Sequence, residues 1–289
     1  MFFYSSRGIL YSEIKIRRFD FMKQRFKKLI QTHKFFKYIP NSLTLCNSLC
    51  GFASILCTLQ AYGPGEITHL SGYFAISAAV ICFAMVFDAL DGFAARIFNA
   101  ASMHGLQMDS LADMVTFGVA PATLCAVMTH SLRGTGLTEE IVVYLLCSVY
   151  LGCAALRLAT YNVYAMEEHK SSNYFSGLPS PGAASAVCVA VWLACDLNFT
   201  KRELAMVLPI YAAILGLLMV SKIRYLHVGK WLTTVKRSRK KLFLLIVMLA
   251  VIAVFRIKGL AALVALYILS GPVLTLGQKI FSSGKQSCE

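Results

Sequence analysis

Charge is scarce in this sequence, and negative charge is scarcest. Only 15% of the 289 residues are charged, with 14 Asp and Glu against 28 Lys and Arg, while 57% are hydrophobic and the mean hydropathy is +0.64. Such a composition excludes an ordinary soluble globular domain and points to an integral membrane protein. Paired CxxC units are also missing. The ten cysteines fall mostly inside apolar segments, which argues against a zinc site or a disulfide framework and leaves them as small apolar residues. No internal repeat or low-complexity segment is found. The N-terminal stretch lacks the continuous apolar core and small-residue cleavage site of a signal peptide.

What is present is a series of apolar runs. A helix crossing the hydrocarbon core needs about 20 largely apolar residues, and the sequence offers eight segments of that kind, near 41–61, 68–90, 111–130, 141–163, 181–196, 203–221, 241–256 and 259–277. Residues 1–38 read as a basic tail and 39–289 as one membrane domain. Within the tail, 24–38 suits an interfacial helix with Phe26, Leu29, Ile30 and Phe35 toward lipid.

Lys and Arg set the orientation. The tail carries ten of them and the stretch from Lys222 to Lys241 carries eight. With the tail inside and eight crossings, 23 of the 28 basic residues fall on the cytoplasmic side, as the positive-inside rule requires. The net charge of +14 raises the question of nucleic acid, but the basic residues flank membrane segments and form no nucleic-acid module. Anionic lipid head groups are the expected partner, and no nucleic acid is expected.

Against this background the stretch DALDGFAARIFNAASMHGLQMDSLAD stands out. Asp88, Asp91, Asp109 and Asp113 supply four of the fourteen acidic residues, between two apolar runs, where ionisable groups are costly and usually functional. Asp88 and Asp91 are three apart and Asp109 and Asp113 four apart, so each pair shares a helix face. A bend around 99–105 brings the pairs together at the cytoplasmic membrane surface. Four carboxylates at close range repel, and divalent cations relieve the repulsion. All-oxygen ligands suit Mg²⁺ or Mn²⁺, and two such ions about 4 Å apart stabilise displacement at phosphorus. Gly92 and Gly105 allow a nucleotide or a neighbouring helix close to the backbone. Arg96 offers a cation for a phosphate. His104 beside four aspartates does not make a zinc site and is read as a surface residue.

The full spacing, Asp88-x2-Asp91-Gly92-x2-Ala95-Arg96-x8-Gly105-x3-Asp109-x3-Asp113, resembles the signature of the CDP-alcohol phosphotransferase family at every fixed position. Three further stretches resemble the bacterial phosphatidylserine synthase branch of that family. They are IPNSLTLCNSLCG (39–51, with Pro40, Thr44, Asn47 and Gly51), YFSGLPSPGAA (174–184) and MVSKIRYLHVGK (219–230). LRLATYNV (156–163) departs from the family pattern, with Thr160 where a second arginine is more usual and Tyr161 where phenylalanine is.

The resemblance implies an all-α integral membrane bundle of about eight helices that transfers a phosphatidyl group from CDP-diacylglycerol to an alcohol, releasing CMP. It implies two divalent ions, Mg²⁺ or Mn²⁺, on Asp88, Asp91, Asp109 and Asp113, with Asp113 also the general base. The CDP moiety is expected at Thr44, Asn47, Gly92, Ala95, Arg96 and Gly105. L-serine is the expected acceptor, its carboxylate calling for a cation such as Arg157, Lys222 or Arg224. Gly177, Leu178, Pro179 and Pro181 are expected to form a shaped loop. A homodimer in a bacterial inner membrane, with the site facing the cytoplasm, is implied as well. Two alternatives stay open at this point: the same chemistry with glycerol phosphate, inositol phosphate or choline as acceptor, and a cation transporter using the carboxylates.

Overall fold

The computed structural model describes residues 38–62, 67–98, 102–133, 136–166, 175–197, 206–225, 248 and 254–275. They form α1 (Ile39–Gln60), α2 (Ile67–Ile97), α3 (Met103–Asp113), a π-helical segment (Met114–Val119), α4 (Ala120–Arg133), α5 (Leu137–Met166), α6 (Ser180–Asp196), α7 (Val207–Val220) and α8 (Val254–Thr275). Among the described residues, five helical stretches are long and apolar enough to cross a membrane, α3, the π segment and α4 together making one of them; α6 and α7 are shorter apolar helices. Seven of the eight apolar segments in the sequence therefore appear as helices. The remaining one, 241–256, and the interfacial helix expected over 24–38 lie almost wholly outside the described residues.

The all-α class holds with one small addition. β1 (Phe175–Ser176) and β2 (Arg224–Tyr225) form a two-residue antiparallel pair in which Phe175 faces Tyr225. The glycine of the expected shaped loop makes this pair possible. Gly177 sits at φ +86, and a Cβ there would run into the carbonyl of Met219, so the chain can pass α7 only without a side chain. Gly177 N donates to Ile223 O at 2.8 Å and Leu178 N to Leu218 O at 3.0 Å. Pro179 and Pro181 then lead into α6, where a missing N–H costs nothing.

Helix α1 turns polar and small groups inward and bulky apolar groups outward. Along α1 the buried residues are Pro40, Thr44, Asn47, Gly51, Ser54 and Thr58, at spacings of three and four. Leu45, Leu49, Phe52, Leu56 and Leu59 on the other face are exposed. In lipid this is the favourable arrangement, because hydrocarbon solvates the large side chains while small residues let helices approach and hydroxyls bond across them. Gly51 shows how close the approach is: a Cβ there would lie 2.8 Å from Thr116 Cα in the π segment.

The π segment is followed by a proline whose missing donor is compensated from α5. Pro121 has no N–H to give the carbonyl of Phe117, four residues earlier. The buried Tyr150 hydroxyl of α5 donates to that carbonyl instead, at 2.8 Å. The extra residue in the turn sits directly after Asp113, so it sets the rotation of α4 relative to the carboxylate-bearing α3. Such bulges are frequent at functional sites.

Candidate active site

α2 continues past the end of its predicted apolar segment to Ile97, so Asp88, Asp91, Gly92, Ala95 and Arg96 all ride on one helix. The next helix, α3, begins at Met103. Ser102 caps the new helix, its Oγ accepting from Gly105 N at 3.0 Å. Asp109 and Asp113 follow on α3. One carboxylate oxygen from each of Asp88, Asp91 and Asp109 lies within 4.8 Å of the others. Asp91 is buried, and Asp88 and Asp109 are half-buried.

Helix α1 closes the site from the opposite side. Thr44 Oγ1 donates to Asp91 Oδ2 at 2.9 Å, and Asn47 Nδ2 donates to Asp113 Oδ1 at 3.1 Å. Asp113 stands outside the three-carboxylate group but within electrostatic range of Asp88, Asp109 and Asp91. Thr116 Oγ1 holds the Asn47 carbonyl at 3.0 Å, tying α1 to the turn that follows Asp113. The resemblance led to Thr44 and Asn47 through the nucleotide; here their hydrogen bonds go to the carboxylates.

Among the described residues, Asp109 Oδ1 and Asn47 Oδ1 are buried at this level without a hydrogen-bond partner. Orphaned oxygens of this kind are uncommon in a folded interior and point to a missing ion, water or ligand. Three clustered carboxylates, one with an unpartnered buried oxygen, fit a hard divalent cation. Gly92 faces open space, with nothing within 4 Å of the point a Cβ would occupy, so a ligand can approach the backbone of α2 there. Ala95 is half-buried beside it. Arg96 is exposed, its Nε donating to Gly92 O at 2.9 Å. Gly105 is tighter: a Cβ would lie 3.2 Å from Ser102 Oγ and 3.6 Å from Asn41 Oδ1, so this glycine serves the close packing of α3 on α1. His104 is exposed and takes no part in the carboxylate group.

Of the three cations considered for an acceptor carboxylate, Arg157 is brought to the site. It is partly buried, its Nε donates to Ser180 Oγ at 3.1 Å and its Nη1 reaches Met219 O at 3.5 Å, within electrostatic range of Asp113. Lys222 is exposed beyond the end of α7, and Arg224 is described through its backbone, paired with Ser176. The buried Tyr225 beside it has its phenol pushed above the ordinary range by burial, so it remains a donor, to Ile268 O at 3.3 Å.

Sequence reasoning missed two contacts and one neighbouring side chain. Tyr150 on the Phe117 carbonyl was foreshadowed only by Pro121 four residues later. Ser110 Oγ donates to Asn162 Oδ1 at 2.8 Å, joining α3 to α5 next to Asp109. Tyr267 of α8, within electrostatic range of Arg157, gave no signal at all, since it is one tyrosine in an apolar run.

With this geometry in place, comparison with known proteins is direct. The family model described as CDP-alcohol phosphatidyltransferase matches residues 37–218. The chain belongs to that family. Among relatives, a Bacillus subtilis protein named CDP-diacylglycerol–serine O-phosphatidyltransferase is 34% identical over 197 residues, covering 67% of this chain and 92% of its own. A Helicobacter pylori protein of the same name is 29% identical over 211 residues, covering 72% and 84%. One from Saccharomyces cerevisiae is 33% identical over 155 residues, covering 52% of each. The matched family stretch contains α1 to α6 and most of α7, hence every carboxylate of the site, and it leaves α8 outside.

Proposed function

We propose that this chain transfers the phosphatidyl group of CDP-diacylglycerol to the hydroxyl of L-serine, giving phosphatidylserine and CMP. The observation that carries the reaction class is the gathering of Asp88, Asp91 and Asp109 within 4.8 Å, with Asp113 held beside them by Asn47. The choice of serine is supported by the names of the relatives and by the placement of Arg157 near Asp113.

Asp88, Asp91 and Asp109 form the ligand set for two divalent cations, Mg²⁺ or Mn²⁺, with Asp113 at its edge. When bound, such ions neutralise pyrophosphate charge and stabilise displacement at phosphorus. The residues of the chain do the rest. Thr44 restrains Asp91 so that the carboxylates keep their mutual geometry. Asn47 orients the Asp113 carboxylate, which accepts the proton of the serine hydroxyl as the oxygen attacks the diacylglycerol-linked phosphorus and CMP leaves. Arg96 supplies positive charge for a phosphate oxygen, and Gly92 leaves room for the nucleotide along α2. The acyl chains stay in the bilayer.

A single displacement inverts configuration at phosphorus. Retention would require an enzyme-bound phosphatidyl intermediate and would overturn direct attack. The same reading takes the protein as a homodimer in a bacterial inner membrane among anionic lipids, its site toward the cytoplasm, a side supported by the excess of Lys and Arg. Purified protein in detergent with CDP-diacylglycerol and Mn²⁺ or Mg²⁺ tests it. CMP release that depends on L-serine is expected; release driven instead by glycerol phosphate, inositol phosphate or choline would overturn the acceptor, and no release with any alcohol would overturn the reaction.

A further inference from the structure

Helix α8 lies beyond the stretch matched by the family model, yet it brings one side chain toward the site. Tyr267 packs over Gly182 in the first turn of α6, where a Cβ would lie 3.4 Å from its Cε1, and against Tyr225, with ring centroids 5.9 Å apart. Its phenol oxygen is buried and has no hydrogen-bond partner among the described residues. A phenylalanine would fill the same space without burying an idle hydroxyl, so the oxygen at this position calls for a ligand.

The charge nearest to hand is Arg157. Tyr267 and Asp113 are both within electrostatic range of its guanidinium, which is anchored on Ser180 Oγ and the Met219 carbonyl. A neutral donor from α8, a cation from α5 and the candidate base from α3 thus collect at the same end of the bundle. The position of α8 is itself fixed. Gly271 sits so close to the Tyr225 ring that a Cβ would be 2.5 Å from it, and the Tyr225 hydroxyl holds the Ile268 carbonyl at 3.3 Å. Tyr225 belongs to the β1–β2 pair, so the clasp that shapes the loop before α6 also sets where Tyr267 stands.

Serine differs from other small amino alcohols in its carboxylate. A planar anion is well matched by a guanidinium and a phenol O–H together, the hydrogen bond to a charged group being about twice as strong as a neutral one. We propose that the Tyr267 phenol donates to the carboxylate of the acceptor, paired there with Arg157, and that α8 is thereby the element that selects an amino-acid acceptor. This rests on the serine reading above and adds to it a residue outside the family match.

The test compares L-serine with L-serinamide, which keeps the hydroxyl and amine but replaces the carboxylate with a neutral amide, in the full-length wild type and in Tyr267→Phe. Wild type is expected to prefer L-serine. Tyr267→Phe is expected to raise KM for L-serine about tenfold, the effect of losing one hydrogen bond to a charged group, to narrow the preference over serinamide by a similar factor, and to leave KM for CDP-diacylglycerol in place. An unchanged KM for serine, or an equal loss for both acceptors, would make the phenol a packing group and overturn the proposal. Equal use of the two acceptors by wild type would overturn it whether or not the variant folds. Wild type that shows no serine-dependent CMP release would instead sink the functional reading on which the proposal stands.

Discussion

The α1–α2 interface buries polar side chains at two levels. At one, Ser54, Thr58 and Ser77 are fully enclosed: the Ser77 hydroxyl lies 2.7 Å from both Ser54 Oγ and Thr58 Oγ1, and further bonds run to the carbonyls of Ser54 and Ser77. Every hydroxyl there has a partner within the protein. Roughly 15 Å along the helix, at ten residues of 1.5 Å rise, α1 presents Thr44 and Asn47 to four carboxylates, and there Asp109 Oδ1 and Asn47 Oδ1 have none among the described residues. The first level is closed and serves helix packing. The second is left incomplete among the described residues, which leaves it open to a ligand. The contrast separates structural from functional polarity more sharply than burial does, since Asn47 and Ser54 are equally enclosed.

The largest effect is expected at the incomplete level. Asp113→Asn keeps the shape of the side chain and removes its basicity, so kcat should fall by about 10²–10⁴, read as CMP release per folded protein, with helix content unchanged by circular dichroism. Asn47→Ala leaves Asp113 in place but unrestrained. A loss of about 10–100-fold in activity is expected, the usual consequence of deleting an outer partner of a site carboxylate. Wild-type activity in Asn47→Ala would show that the hydrogen bond to Asp113 does nothing for the reaction.

Between the two levels stands Gly51. Gly51→Ala places a Cβ against Thr116 Cα and Oγ1, and backbone has to shift to admit it. A destabilisation of about 1–3 kcal/mol is expected from overpacking, measured as an earlier thermal transition in detergent. Activity should drop with it, because Thr116 also holds the Asn47 carbonyl. At the closed level, Ser77→Ala removes three hydroxyl contacts between α1 and α2 at about 0.6 kcal/mol each, so it should cost about 2 kcal/mol. Turnover of the folded protein should stay within about twofold of wild type. A collapse of activity in Ser77→Ala with stability intact would erase the distinction between the levels.

The same two levels show what can be read from sequence. The helices are legible because lipid demands long apolar runs, and the carboxylate pairs because spacings of three and four put them on one face. That Asp88, Asp91 and Asp109 meet agrees with a bend expected near 99–105, between the end of α2 at Ile97 and the Ser102 cap of α3. The buried stripe of α1 was visible only in part, through Thr44, Asn47 and Gly51. Its partners were not, since Asn47 and Asp113 are 66 residues apart and nothing local records their pairing. The Phe117 carbonyl in the π turn is met by a hydroxyl from α5, and Asp113 is hydrogen-bonded by Asn47 of α1. Both are tertiary facts, settled by packing rather than by propensity. Tyr267 was hidden for the same reason: a tyrosine in an apolar run differs from phenylalanine by one oxygen, and only its surroundings give that oxygen meaning.

The central claim, that the carboxylate level is completed by a divalent cation, is tested most directly by titrating purified protein with Mn²⁺ and following the free ion by electron paramagnetic resonance. Wild type and Ser77→Ala are predicted to take up Mn²⁺ with equal affinity, and the double variant Asp91→Asn, Asp109→Asn to lose at least about tenfold in affinity, as expected when anionic oxygen ligands are removed. Equal uptake by all three proteins would contradict the claim and return the orphaned oxygens to an explanation by water alone.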